Sequence, residues 1–215
     1  ILEQRKVLGR AARLGVQAVA AELMSIRPES IRVESRGIIR PQILVISNVR
    51  LDHREEMGRA KPEIAQSLAA AIPAGATVFL LDEEYYPEFG AAAAKMKTKI
   101  VRVKKESPEG AVGPTGISPL FSFEENARLA LAVSDYLGVP RETALRGIAQ
   151  AEPDFGSFKI WQALLGTPPV PWLLVSAFAA NEPESTELLL ARLQKGLSLS
   201  GKKLVGVLNL RPDRG

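Results

Sequence analysis

Cysteine is absent from all 215 residues. That excludes a disulfide scaffold and every thiolate-based zinc or redox centre, and it suits a reducing cytosol. Long apolar runs are absent as well. The longest candidate, residues 170–180, is broken by Pro171 and falls short of the ~20 residues that a membrane-spanning helix needs. Residues 1–14 carry Arg and Lys at helical spacing where a signal peptide would have an apolar core. Direct membrane insertion is therefore not expected, and docking on a membrane partner stays open. Concentrated positive charge is missing too: the net charge is +4, the only Lys-Lys pairs are Lys104-Lys105 and Lys202-Lys203, and aromatics reach only 6%. Without a basic stripe interleaved with aromatics, no nucleic-acid partner is expected. The mild cationic surplus suits small anionic ligands, but more commonly marks an ordinary solvated surface.

Hydrophobic residues make up 46% of the chain and charged residues 24%. Such a chain buries a core and is not disordered. Helical and strand patterns alternate, the signature of an α/β fold with a mostly parallel sheet and helices on both faces. Residues 3–14 predict a helix stopped by Gly15. Residues 16–21 predict a short buried strand, and the polar, β-branched residues 29–40 an irregular excursion or short strand. Strands are predicted over 43–47, 77–81 and 100–103, with helices over 62–72 and 87–96 between them; Pro62 stands in a first turn. Residues 105–119 read as a Gly/Pro/Ser loop, and 123–137 and 140–151 as two helices split by Gly138. After a linker at 152–157, a strand at 172–177, a helix at 183–193 and a strand at 204–208 open a second, Rossmann-like α/β unit. The expected division is 1–155 and 156–215, the latter short for an independent domain.

The chemistry concentrates in Asn48-Val49-Arg50-Leu51-Asp52-His53, directly behind the apolar run Ile43-Leu44-Val45-Ile46. His53 is the only histidine. It follows an Asp just past a predicted buried strand, where open α/β sheets gather their ligand chemistry. An imidazole beside a carboxylate suits a metal or phosphate site. Glu22 follows the predicted strand 16–21. By itself it reads as a solvated strand-end carboxylate. If the two strands are parallel neighbours, it emerges with Asp52 and His53 at one sheet edge. A carboxylate and an imidazole, with other positions left to water and phosphate oxygens, suit Mg²⁺ or Mn²⁺ better than structural zinc.

Asn48, Asp52-His53 and Met57-Gly58 together resemble the central-domain motif of the Mur ligases and folylpolyglutamate synthetases. Four blocks in order narrow the resemblance to the ligase subunits of poly-γ-glutamate synthases. They are Ala21-Glu22-Leu23-Met24-Ser25-Ile26-Arg27-Pro28; Asn48 to His53 with Met57-Gly58; Phe178-Ala179-Ala180-Asn181 with Ser185-Thr186; and Asn209-Leu210-Arg211-Pro212-Asp213-Arg214. The resemblance runs from Gln4 to Arg214. It implies an ATP-dependent amide ligase that activates a γ-carboxylate as an acyl phosphate, with Mg²⁺ or Mn²⁺ held by Glu22 and His53 and with Asp52 behind His53. It further implies nucleotide contacts from Asn48, Asn126, Lys159 and Asn181. Arg211 and Arg214 are implied to bind the incoming amino acid; as residues alone they are either solvated strand-end cations or a carboxylate clamp. The implied partners are glutamate, poly-γ-glutamate and integral-membrane synthase subunits. The implied location is the cytoplasmic face of the membrane, with homo-oligomerisation left open. Peptidoglycan-precursor or folate glutamylation and a non-catalytic module are the rival readings.

The chain also departs from that pattern. No G-x-x-G-K-[ST] phosphate loop occurs in it, so these residues alone are expected to be inactive, as a fragment of a longer enzyme. The helix predicted at 62–72 lacks the metal-bridging lysine of many Mur ligases, because Lys61 precedes it. Phe123 replaces the first of two adenine-side Asn residues. Lys159 stands for a bidentate Arg, a point charge in place of a planar fork.

Overall fold

The computed structural model describes residues 2–105, 124–151, 158–178, 180, 183–196, 201 and 203–207. Its centre is a parallel sheet of β1 (Ile43–Ile46), β2 (Thr77–Leu81) and β3 (Lys99–Val103), in the order β1-β2-β3. The register runs Ile46↔Leu80 and Leu81↔Val103 at the carboxyl edge. Every residue of β2 is buried, as a parallel strand covered on both faces requires.

The alternation of side chains along the strands builds two apolar layers. Leu44, Ile46, Val78 and Leu80 join Ile64, Ala65, Ile72 and Phe89 on one face. These come from α4 (Lys61–Ala69), the turn that follows it, and α5 (Pro87–Met96). Phe79 and Leu81 face the other way, onto Leu129 of α6 (Glu124–Tyr136). There Tyr136 meets Phe79 edge-on at 5.4 Å and its hydroxyl lies 3.0 Å from Thr77 Oγ1. Beyond α6 packs α7 (Arg141–Gln150). The result is the expected α/β architecture, with helices on both faces of a parallel sheet.

Pro87 at the start of α5 fixes a helical φ and gives up an N–H that has no partner in a first turn. The helix ends where Lys97 adopts φ +52°. At the chain's start, α1 (Leu2–Arg13) ends just before Gly15, whose φ is +64°.

Three expectations are corrected. Residues 16–21 form no strand; they are irregular and exposed. Among the described strands β1 has only β2 beside it, and a run with three alanines has little strand preference once no neighbour supplies hydrogen bonds. Residues 29–40 are helical instead: α2 (Pro28–Arg32) continues into a π-helical segment, Val33–Ile39. Pro28 starts it, and Ile31, Glu34 and Ser35 are its buried side. Residues 204–207 adopt no strand and are exposed, and Leu208 lies outside the described residues.

The sheet is followed by an unanticipated hairpin. β4 (Lys159–Leu165) pairs antiparallel with β5 (Val170–Ser176), and α8 (Pro183–Gly196) comes next. The strand expected at 172–177 is therefore the second arm of a hairpin. Most of the predicted loop at 105–119 and the linker at 152–157 lie outside the described residues, as does the expected boundary at 155.

Candidate functional site

The carboxyl edge of the sheet presents two loops side by side. The first carries Asn48 to His53 behind β1. The second is the 3₁₀ turn Asp82–Glu84 behind β2. Glu84 ties them together: its Oε2 accepts the Val49 N–H at 3.0 Å, and its Oε1 accepts Arg50 Nη1 at 3.0 Å. Val49 is fully buried, so the β1 loop is anchored by an apolar side chain below and a carboxylate beside it. Asn48, half-buried, immediately precedes this anchor.

Two residues past Arg50 the chain reaches Asp52 and His53. Asp52 Oδ1 accepts the His53 backbone N–H at 2.8 Å, and Asp52 Oδ2 lies 3.6 Å from His53 Nε2. Both side chains are about a third exposed, at 38% and 33%. His53 adopts φ +48° in the left-handed region and caps α3 (Arg54–Met57), whose Glu56 and Met57 amides donate to its carbonyl. A non-glycine residue held there is uncommon and marks a place to look for function. The imidazole is thus turned back toward Asp52 at an open edge of the sheet.

Gly58 completes the motif for a backbone reason. Its φ is +130°, and a Cβ added there would collide with Glu63 Cβ. Glu63 Oε2 accepts the Arg59 N–H at 2.6 Å, and Ser67 Oγ donates to the Met57 carbonyl at 2.6 Å, so this turn is pinned to α4 on both sides.

Glu22 does not stand at a strand end. It is exposed on the irregular stretch between α1 and α2. Its neighbours nevertheless fix that stretch to the core: Leu23 packs on the cluster that holds Leu44, Ile46 and Val49. Fully buried Glu34 accepts the Met24 and Ser25 amides at 3.2 and 2.9 Å and Gln4 Nε2 at 2.7 Å. Burial pushes the Glu34 carboxyl up, but the hydrogen bonds from Ser25, Met24 and Gln4 outweigh it and hold the group below the ordinary carboxylate range.

Asn126 is exposed in the first turn of α6. That end of α6 reaches the carboxyl edge, because Arg128 pairs with Glu83 in the turn behind β2. Burial raises the Glu83 carboxyl, but the hydrogen bond and charge of Arg128, aided by Lys105, bring it below its ordinary range. Asp82 pairs with Arg102 Nε at 2.6 Å, and that guanidinium lies 4.2 Å from the Tyr85 ring centroid. Lys159 opens β4 opposite Ser176, and among the described residues no ion pair joins it to the sheet edge. Asn181, Arg211 and Arg214 lie outside the described residues.

A divalent cation fits the donor chemistry. Glu22 and His53 offer a carboxylate oxygen and an imidazole nitrogen, and Mg²⁺ commonly takes one or two protein ligands and leaves the rest to water and phosphate. Among the described residues no three His, Asp or Glu side chains converge into a protein-only cage.

Known proteins share this fold. The apo form of FPGS from L. casei superposes with a TM-score of 0.60 at 19% identity, over 88% of this chain and 50% of that one. A bifunctional folylpolyglutamate synthase/dihydrofolate synthase from Yersinia pestis, complexed with AMPPNP and Mn ion, gives a TM-score of 0.51 at 20% identity, over 72% and 38%. Residues 167–215 match the family described as the poly-gamma-glutamate synthase CapB C-terminal domain. The chain is 32% identical to the capsule biosynthesis protein CapB of Bacillus anthracis, over 99% of this chain and 45% of that protein. It is 30% identical to the PGA synthase CapB of Bacillus subtilis (strain 168), over 99% and 53%.

The chain is thus similar to the CapB proteins over nearly its whole length, and its fold is that of the folylpolyglutamate synthases. It spans about half the length of the CapB relatives it matches, 45% and 53%. In this Mur-ligase-like sheet, the residues missed by sequence reasoning are Glu84, Glu34 and Glu184. Only Glu84 left a signal, as the last of three acids directly behind the strand at 77–81. Lys61 is the first residue of α4, not a residue before the helix.

Proposed function

We propose that this chain is part of an ATP-dependent amide ligase that extends poly-γ-glutamate. The observation that carries the reading is the alignment with about half of each of two CapB proteins, across 99% of this chain in each case. The Asp52–His53 pair at the sheet's carboxyl edge supports it, because the chemistry needs a cation-binding imidazole there.

In this reading an oxygen of the polymer's terminal γ-carboxylate attacks the γ-phosphorus of ATP, forming an acyl phosphate and releasing ADP. The amine of a free glutamate then attacks the acyl carbon, phosphate leaves, and the amine gives up a proton. Glu22 and His53 would hold Mg²⁺ or Mn²⁺, which would supply charge neutralisation as one anion approaches another. Asp52 orients His53. Asn48, Asn126, Lys159 and Asn181 serve the nucleotide, and Arg211 and Arg214 the carboxylates of the incoming amino acid.

The enzyme works at the cytoplasmic face of the membrane through integral-membrane partner subunits. No helix among the described residues is long and apolar enough to cross a membrane. The test is a substrate panel on the full-length protein with those partners. Glutamate-dependent ADP release with a γ-linked polymer as product supports the reading. Turnover confined to folate or peptidoglycan precursors, or no turnover with any substrate, overturns it.

A further inference from the structure

We propose that Glu184 is a positioning residue that, through Arg50 and Lys61, fixes the start of α8 on the carboxyl edge of the parallel sheet. Glu184 Oε1 accepts Lys61 Nζ at 2.8 Å and Arg50 Nη1 at 3.4 Å. Lys61 is 123 residues away along the chain and Arg50 is 134 residues away. α8 lies within residues 167–215, which match the CapB C-terminal family, whereas Arg50 and Lys61 lie before them. The contact therefore joins the two parts of the chain.

Charge order makes the junction specific. Arg50 Nη1 sits between Glu84 Oε1 at 3.0 Å and Glu184 Oε1 at 3.4 Å, and Lys61 Nζ shares that Glu184 oxygen at 2.8 Å. Two cations and two carboxylates alternate, so no charge is left over. Glu184 also stands in the first turn of α8, where a negative charge is favoured by the helix dipole. Arg50 is the shared member. It belongs to the same loop as Asp52 and His53, so the position of α8 is coupled to the loop that presents the imidazole.

The side chains are 21–34% exposed apart from Glu84 at 13%, so solvent and salt weaken the contact. Each pair is worth up to about fivefold in the equilibrium between docked and undocked α8. The inference rests on these contacts alone and does not depend on the reaction proposed above.

The experiment measures spin-label distances in the full-length protein. Labels are placed through Lys95→Cys on α5 and Glu187→Cys on α8, with any cysteine elsewhere in the full-length chain replaced. Both label positions are exposed. The unmutated junction gives a narrow distance distribution. In Glu184→Gln the narrow population falls about fivefold relative to the broad one. Lys61→Ala broadens the distribution as well, and adding it to Glu184→Gln produces no further broadening, because the same contact is already lost. Raising salt to about 1 M on the unmutated junction reproduces the broadening without any variant at the contact. The proposal fails if Glu184→Gln leaves the distribution narrow, or if salt does.

Discussion

Glu84 holds Arg50 and its neighbour together: one carboxylate oxygen takes the Arg50 guanidinium and the other takes the amide of the preceding residue, Val49, each at 3.0 Å. One side chain from the turn behind β2 thus sets the path of the loop behind β1, and with it the direction in which Asp52 and His53 leave the sheet.

Removing that grip has a predictable cost. Glu84→Ala strands a buried Val49 N–H and leaves Arg50 with Glu184 as its carboxylate partner. We expect it to lower stability by about 1–3 kcal/mol, the usual penalty for an unpaired buried donor. Denaturant unfolding measures the change. A loss within experimental scatter of zero would mean that water replaces the carboxylate.

Glu34 gives the chain a pH dependence of known sign. Its folded-state value is depressed below the ordinary carboxyl value of 4.5. It therefore contributes stability that is fully present above the unfolded-state value and lost as pH falls through the folded one. Thermal unfolding from about pH 6 down to about pH 3 should show a steeper fall in Tm for the unmutated protein than for Glu34→Gln. Glu34→Gln itself should unfold at lower temperature near pH 7, because its amide puts a donor where the Met24 and Ser25 amides need acceptors.

Gly58→Ala tests the turn behind α3. A side chain at φ +130° that also meets Glu63 Cβ is strained twice, and a loss of about 1–3 kcal/mol is expected. Calorimetry reads it. Gly75→Ala is the control, since it shares a positive φ but has open space around the added carbon; it should cost less.

The parts of the fold that were legible in the sequence are those fixed by local chemistry. Pro87 and Met96 bound α5 as expected, and the apolar run Thr77–Leu81 is the buried central strand. Asp52-His53 announced itself as the only imidazole, behind a strand. What was not legible depends on distant partners. Residues 16–21 are apolar enough to suggest a buried strand, but a strand exists only with a neighbour to pair with. The helix over 28–39 was hidden because its buried face includes Glu34, a carboxylate that looks like a surface residue until Gln4, Met24 and Ser25 are seen to satisfy it. β4 exists through its pairing with β5, from Lys159↔Ser176 to Leu165↔Val170. The left-handed φ of His53 has no sequence signature either, since it follows from the hydrogen bond to Asp52 and the start of α3.

In the proposed ligase the imidazole of His53 and the carboxylate of Glu22 bind the cation used in glutamate ligation. The most direct measurement is glutamate-dependent ADP release by the full-length protein with its membrane partners, comparing the unmutated enzyme with His53→Ala and Glu22→Ala across a Mg²⁺ titration. The account predicts that each variant loses on the order of a hundredfold in rate, as when a group that stabilises developing charge is removed, and that each needs more Mg²⁺ to reach half of its own maximum. Undiminished ADP release with an unchanged Mg²⁺ dependence in either variant would contradict it.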